Sequence, residues 1–205
     1  KYYVLDHLWA FGVKNVILHL PTYLRERRER ARFCALSDVS FEVRKGECFG
    51  VIGRNGSGKS TTLGLVAGVL RPTAGAVETR GHICPLLELG AGFHHELTGR
   101  DNILLNGVLL GMTRRQVMDR MEDIIAFSDL GEFIDRPIRV YSSGMVARLG
   151  FSVVVHLDPD ILLIDEVLAV GDKAFQEKCL KKMEEFRNRG VTMLYVSHSL
   201  ESVQA

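Results

Sequence analysis

Apolar residues in the first twenty positions fall at Leu5, Leu8, Trp9, Val13, Val16, Ile17 and Leu20, the spacing of one helical face, with Gly12 as the gap and Pro21 as the stop. The next stretch, YLRERRERAR from Tyr23 to Arg32, sets Glu and Arg at helical spacing and predicts a charged helical extension. Then the period changes. ALSDVSFEVRKGECFGVIG alternates apolar and polar residues around Val39, Phe41 and Val43, turns at Lys45-Gly46, and runs on through Cys48 to Ile52, which predicts two strands. A helix is expected from Lys59 to Leu70, closed by the turn residues Pro72 and Gly75, with short strands near Val77 and Ile83.

Thr98 in TGRD and Thr113 in TRRQ each stand three residues before an acidic or amide side chain, a capping pattern for two helix starts. The region from Leu97 to His156 therefore reads as mainly helical. After Pro159 the apolar run ILLID, a polar helix around Lys173 to Arg189 and a second apolar run, VTMLYVSH, alternate strand and helix again. That order predicts an α/β fold with a largely parallel sheet covered on both faces, interrupted by a helical subdomain.

With 46% hydrophobic and 25% charged residues the chain reads as one globular core carrying a subdomain, and disorder is excluded. A net charge of +1 provides no global field for nucleic acid, so no nucleic-acid partner is expected. Cys34, Cys48, Cys84 and Cys179 lie far apart without zinc-ligand spacing and are expected as reduced, buried apolar fillers. No apolar run is long enough to span a bilayer. A chain that opens on Lys1 and stops at Ala205, just after a strand and a turn, is expected to be a fragment.

VIGRNGSGKSTTL, Val51 to Leu63, fits G-x-x-x-x-G-K-[ST] with a strand before it and a helix after it, the setting a phosphate loop requires. Gly53, Gly56 and Gly58 let the backbone wrap so that N–H groups converge on an anion, and the following helix adds its positive end. Asn55, Ser57 and Thr61 share this loop as nucleotide-binding positions; Lys59 is expected to reach the β- and γ-phosphates and Ser60 to hold Mg²⁺. A ligand-free glycine turn is the alternative, but each glycine costs about 0.5–1 kcal/mol relative to alanine in ordered structure. Asp165 and Glu166 end an apolar strand, where buried carboxylates are costly unless they face a metal and a water. Asp165 is therefore expected to hold Mg²⁺, directly or through water, and Glu166 to polarise the attacking water; a solvated strand end capping the next helix is the alternative.

YSSGMVARLGF, Tyr141 to Phe151, and YVSH, ending at His198, complete a set in which the chain resembles the ATP-binding subunit of an ABC transporter. The resemblance makes GRNGSGKST the Walker A motif, ILLID Walker B, YSSGM the signature in place of LSGGQ, Glu166 the catalytic glutamate, Asp172 the D-loop aspartate and His198 the switch histidine. It implies a P-loop NTPase (RecA-like) core with a mostly parallel sheet, an N-terminal antiparallel β part and an inserted α-helical subdomain. Residues 1–205 would form a single ATPase domain: an N-terminal helical insertion over 1–32, a nucleotide-binding core over 33–96 and 157–205, and a helical signature subdomain over 97–156. ATP would close two subunits head to tail, with Ser142, Ser143 and Gly144 on the γ-phosphate held by the partner's Lys59.

YSSGM, DPDILLIDEVLAVGD and LLELGAGFHHELTGRDNI resemble the subgroup that exports bacterial O-antigen, capsule or teichoic acid polymers, as does the segment from Val4 to Arg32. This implies an ATP-hydrolysing motor at the cytoplasmic face of the bacterial inner membrane, a separate membrane-spanning permease chain and a lipid-linked polysaccharide as substrate. Several positions depart from the family pattern. Glu88, or alternatively Leu89, stands where the Q-loop glutamine is usual; Ser143 and Met145 replace signature glycine and glutamine. Tyr3 is the expected adenine-stacking aromatic, with Tyr2, Phe33 or a core aromatic as alternatives. His94 and His95 fall on the coupling surface and are assigned no metal, and the Leu5–Leu20 helix either lies at the membrane interface or docks on the protein's own core. A soluble ABC ATPase acting on ribosomes or DNA is the alternative function, but the chain has neither a second such domain nor a coiled-coil insertion. A GTPase would need an NKxD motif, which is absent; a nucleotide-gated module with little turnover is opposed by Glu166.

Overall fold

A computed structural model describes residues 33–86, 89–165 and 171–197. The expected helical segments of 1–32, with Tyr2 and Tyr3, lie outside the described residues, as do Glu88, Glu166 and His198. The chain order is β1 (Cys48–Ile52), α1 (Lys59–Val66), β2 (Ile83–Leu86), α2 (Gly99–Leu109), α3 (Arg114–Ser128), α4 (Ser143–Val154), β3 (Ile161–Asp165), α5 (Lys173–Asn188) and β4 (Thr192–Ser197), with two 3₁₀ turns between α3 and α4. The four strands form one sheet in the order β1-β4-β3-β2, and every pairing is parallel.

Strand periodicity sorts the side chains to the two sheet faces. Leu162 and Ile164 of β3 and Met193 of β4 join the larger core, packed with Leu149, Phe151, Phe175 and Phe186 from the helices. Leu163, Leu194 and Val196 point to a smaller core closed by Leu63 of α1. Both faces of β3 and β4 are thus covered, which is why their sequences are almost continuously apolar. No helix among the described residues is long and apolar enough to cross a membrane.

The expected antiparallel β part requires correction. Residues around Val39–Val43 and Val77 carry no strand; Val39 is 55% and Phe41 44% exposed, although the Phe41 ring stacks on Phe49 with centroids 5.3 Å apart. Alternation marks residues that suit a pleated surface but does not itself supply a hydrogen-bonding neighbour, and a strand exists only when paired. Helix α1 also ends earlier than its pattern predicts. The N–H of Ala67 donates to Leu63, that of Gly68 to Leu65 and that of Leu70 to Gly64, and Gly68 takes φ +72°, a glycine-terminated helix end. The two expected caps hold: Thr113 and Gln116 form a full capping box, and Thr98 accepts from the Asp101 N–H.

Candidate nucleotide-binding site

Strand β1 ends at Ile52, and Gly53, the first loop residue, donates its N–H to the Ser197 carbonyl at the end of β4 (3.2 Å). The register pairs Ile52 with Ser197 and Asp165 with Val196, so Gly53, Asp165 and Ser197 share the carboxyl edge of the sheet, where open α/β folds bind ligands. Ser57 N–H closes a turn onto Arg54. Gly56 (φ +82°) and Gly58 (φ +93°) bring the chain into α1 through left-handed conformations. At Gly58 a Cβ would lie 2.8 Å from the Ala35 carbonyl oxygen and 2.7 Å from Leu36 Cδ2; only glycine fits there without displacement. Gly58 is the N-cap of α1 and provides no side-chain cap, leaving the positive helix end for an anion.

Lys59 is half-buried, and its ammonium donates to the carbonyls of Gly53 (2.7 Å) and Arg54 (3.1 Å), spanning the loop from helix to strand. Asn55, Ser57 and Ser60 are exposed, Thr61 is half-buried, and Asp165 is half-buried at the end of β3. Thr62, just behind, is buried and returns its hydroxyl to the Gly58 carbonyl (3.1 Å).

Ser142 caps α4 by accepting from the Met145 N–H (3.2 Å). Ser142 and Ser143 are exposed and Gly144 half-buried, so the helix start faces outward. Among the described residues no hydrogen bond or ion pair joins 142–144 to the loop 53–60. The preceding Tyr141 is fixed by its hydroxyl donating to the Phe133 carbonyl; burial and the nearby Asp135 push that phenol up to about 12. Asp172 is the N-cap of α5, accepting from the Phe175 N–H (2.9 Å), and it pairs with Arg148 of α4 at 3.8 Å.

Local pattern does not reveal several residues that hold these parts together. Asn102 is fully buried. Its Oδ1 accepts from the His94 N–H (2.6 Å), and its Nδ2 donates to the carbonyls of His94, Leu97 and Thr98, pinning the loop that carries the exposed His94 and His95. Asn106 donates to the Ala91 carbonyl of the same loop. The only sequence signal is two asparagines inside an otherwise apolar helix face. Asp158 accepts from Arg120 of α3 and Arg189 after α5, and hydrogen bonds from both guanidinium groups hold its carboxyl below the usual range. Of the cysteines expected as buried fillers, Cys84 and Cys179 are buried with thiols pushed up to about 12 by burial. Cys34 and Cys48 are instead exposed, and all four are free.

The chain matches the ABC transporter family over residues 36–169. It is 56% identical over 204 residues to the O-antigen export system ATP-binding protein RfbB of Klebsiella pneumoniae, spanning 100% of this chain and 82% of that protein. It is 49% identical over 172 residues to the teichoic acids export ATP-binding protein TagH of Lactococcus lactis, spanning 84% of this chain and 37% of that one. Among solved structures it is similar to an ATP-binding cassette determined as a dimer in a post-hydrolysis state bound to ADP and Pi, with TM-score 0.70, 21% identity, and coverage of 86% of this chain and 85% of that one. An ATP-binding subunit of an ABC transporter aligns with TM-score 0.73 and 25% identity over 83% of this chain and 75% of that one. The chain belongs to the ABC transporter family, as one of its nucleotide-binding ATPases.

Proposed function

We propose that the chain is the ATP-hydrolysing motor subunit of an exporter that moves a lipid-linked bacterial polysaccharide. One observation carries the reading: the loop 53–60 combines left-handed Gly56 and Gly58, a helix start without a side-chain cap and a lysine folded across its mouth at the carboxyl edge of a parallel sheet. Such a cradle suits a nucleotide's phosphates. The polymer class is supported by RfbB and TagH, whose names assign them to O-antigen and teichoic acid export.

In this reading Gly53, Asn55, Gly56, Ser57, Gly58, Lys59, Ser60 and Thr61 bind the nucleotide, with Tyr3 against the adenine and Glu88 in the Q-loop position. The Ser60 hydroxyl and Asp165 carboxylate are hard oxygen donors that fit Mg²⁺, and the ion, when bound, neutralises charge on the phosphate oxygens. Glu166, next after Asp165, orients and polarises the attacking water. His198 directly follows Ser197, whose carbonyl is bonded to Gly53, and it contacts the γ-phosphate. Ser142, Ser143 and Gly144, with Asp172, complete the partner's site in a head-to-tail homodimer. Residues 97–156 act as the signature subdomain between the core segments 33–96 and 157–205, with 1–32 as an N-terminal insertion. The motor works peripherally at the cytoplasmic face of the inner membrane, against a permease that is a separate chain.

The test is light scattering with ATP on the Glu166→Gln protein and on the same protein also carrying Lys59→Ala, beside phosphate release by the wild type. Dimerisation of the first alone, with hydrolysis by the wild type, is expected. ATP binding with neither dimer nor phosphate release would overturn the motor.

A further inference from the structure

Arg148 lies on α4, five residues beyond Ser143, about 7.5 Å along the helix axis at 1.5 Å per residue. Its side chain is only 19% exposed and makes four contacts on two neighbouring segments, the end of α3 and the start of α5. The Nε donates to the Ser128 carbonyl in the last turn of α3 (3.1 Å). One terminal nitrogen lies 3.4 Å from the Asp129 carboxylate, and the other lies 3.8 Å from Asp172. The guanidinium also lies over the Phe175 ring, 4.8 Å from its centroid. Asp172 meanwhile uses its other carboxylate oxygen to cap α5, so a single carboxylate ties the start of α5 to the helix that opens with Ser142. Asp129 takes a second cation, Lys178 of α5.

A guanidinium so far removed from water is costly unless its fork is filled, and only arginine supplies a planar fork with several donors held at fixed angles. The geometry points to Arg148 as a positioning residue: it locks the signature turn of α4 to the Asp172 cap of α5, so that both segments approach the partner's nucleotide as one body. This rests on the reading above, in which Ser142–Gly144 and Asp172 complete the partner's site. If the segments were loose, each would have to be ordered separately at dimer closure, raising the entropic cost of assembling the site.

The experiment measures ATP turnover against protein and ATP concentration for the wild type, Arg148→Met and Arg148→Lys, with binding of a fluorescent ATP analogue and thermal unfolding alongside. Methionine keeps the stem and a favourable contact with Phe175 but removes the fork. Arg148→Met is expected to bind the analogue as the wild type does, while its kcat falls about tenfold or more, the scale of ångström misplacement of reacting groups. The protein concentration giving half-maximal turnover rises with it. Arg148→Lys, which keeps the charge without the planar fork, recovers part of the loss. Should Arg148→Met not fold, the lysine variant carries the same comparison. Unchanged kcat and half-point in a folded variant overturn the inference and leave the motor reading standing. So does loss of turnover that merely tracks lost ATP binding. A wild type that never hydrolyses ATP overturns both.

Discussion

Gly58→Ala tests whether the loop is shaped for a ligand or merely joins strand to helix. Position 58 has φ +93°, and an L-residue held in left-handed backbone costs about 1–2 kcal/mol. The new methyl would also meet the Ala35 carbonyl oxygen at 2.8 Å and Leu36 Cδ2 at 2.7 Å; overpacking of this kind adds about 1–3 kcal/mol. Gly56 and Gly75 separate the two costs, since both have positive φ, +82° and +79°, with nothing within 4 Å of an added Cβ. Alanine there should carry the conformational cost alone. Taking about 2 kcal/mol for the steric difference, Gly58→Ala should melt about 4–8 °C below Gly56→Ala and Gly75→Ala for a domain of this size. Differential scanning fluorimetry without nucleotide measures this. Binding of a fluorescent ATP analogue should then weaken at least about tenfold, or 1.4 kcal/mol, in both loop variants and stay unchanged in Gly75→Ala. Equal melting of the Gly56 and Gly58 variants would refute the steric account; unchanged affinity in Gly58→Ala would refute the cradle.

Asn102→Ala should destabilise the protein by about 1–3 kcal/mol. The three carbonyls that Asn102 serves retain backbone donors from Leu97, Ile138 and Asn102 itself, so the loss falls on the His94 N–H. Urea unfolding and faster amide exchange at 94–97 read it, and a change within experimental error in both would refute the pinning role. His156 packs edge-on against Phe127, and its Nδ1 lies 2.7 Å from the Ser152 carbonyl; burial, against the partial compensation of that hydrogen bond, holds its pKa below the ordinary value. The unfolded chain then binds the extra proton first, so stability should be full above the unfolded pKa of about 6.5 and decline as pH falls from there toward the folded pKa. His156→Gln should flatten the decline in unfolding free energy between pH 7 and 5, and an unchanged slope would refute the assignment. Asp158 acts only at lower pH. Its carboxyl is held down by Arg120 and Arg189, so that contribution is present above the unfolded value of about 3.9 and disappears as pH falls through the folded one.

The parts legible from sequence are those whose physics is local. The loop 53–60, the helix caps at Thr98 and Thr113 and the apolar strands β3 and β4 each declare themselves within about a dozen residues, because turn chemistry, capping and burial on both faces act over that range. The failed strand at Val39–Val43 marks the limit: the period was right, but the pairing partner is a tertiary fact. Asn102, Arg148 and Asp158 were invisible for the same reason. Each is an unremarkable polar residue in its own helix or loop, and its significance comes from carbonyls and carboxylates that the fold brings from other elements.

The order β1-β4-β3-β2 supplies what no motif contains. Sequence reading finds the glycine-rich loop, the carboxylate strand and the final strand as three isolated signals, and proximity in the chain would never bring the last beside the first. Insertion of β4 between β1 and β3 does so through backbone alone. Gly53 N–H reaches the Ser197 carbonyl, and Asp165 stands in register with Val196. The loop therefore cannot shift along the sheet without straining the hydrogen bond to β4, nor β4 without disturbing its ladder to β3. A ligand that draws on the loop acts on three strand ends at once, which is the mechanical condition for a phosphate contact to be felt at the edge of Asp165 and Ser197.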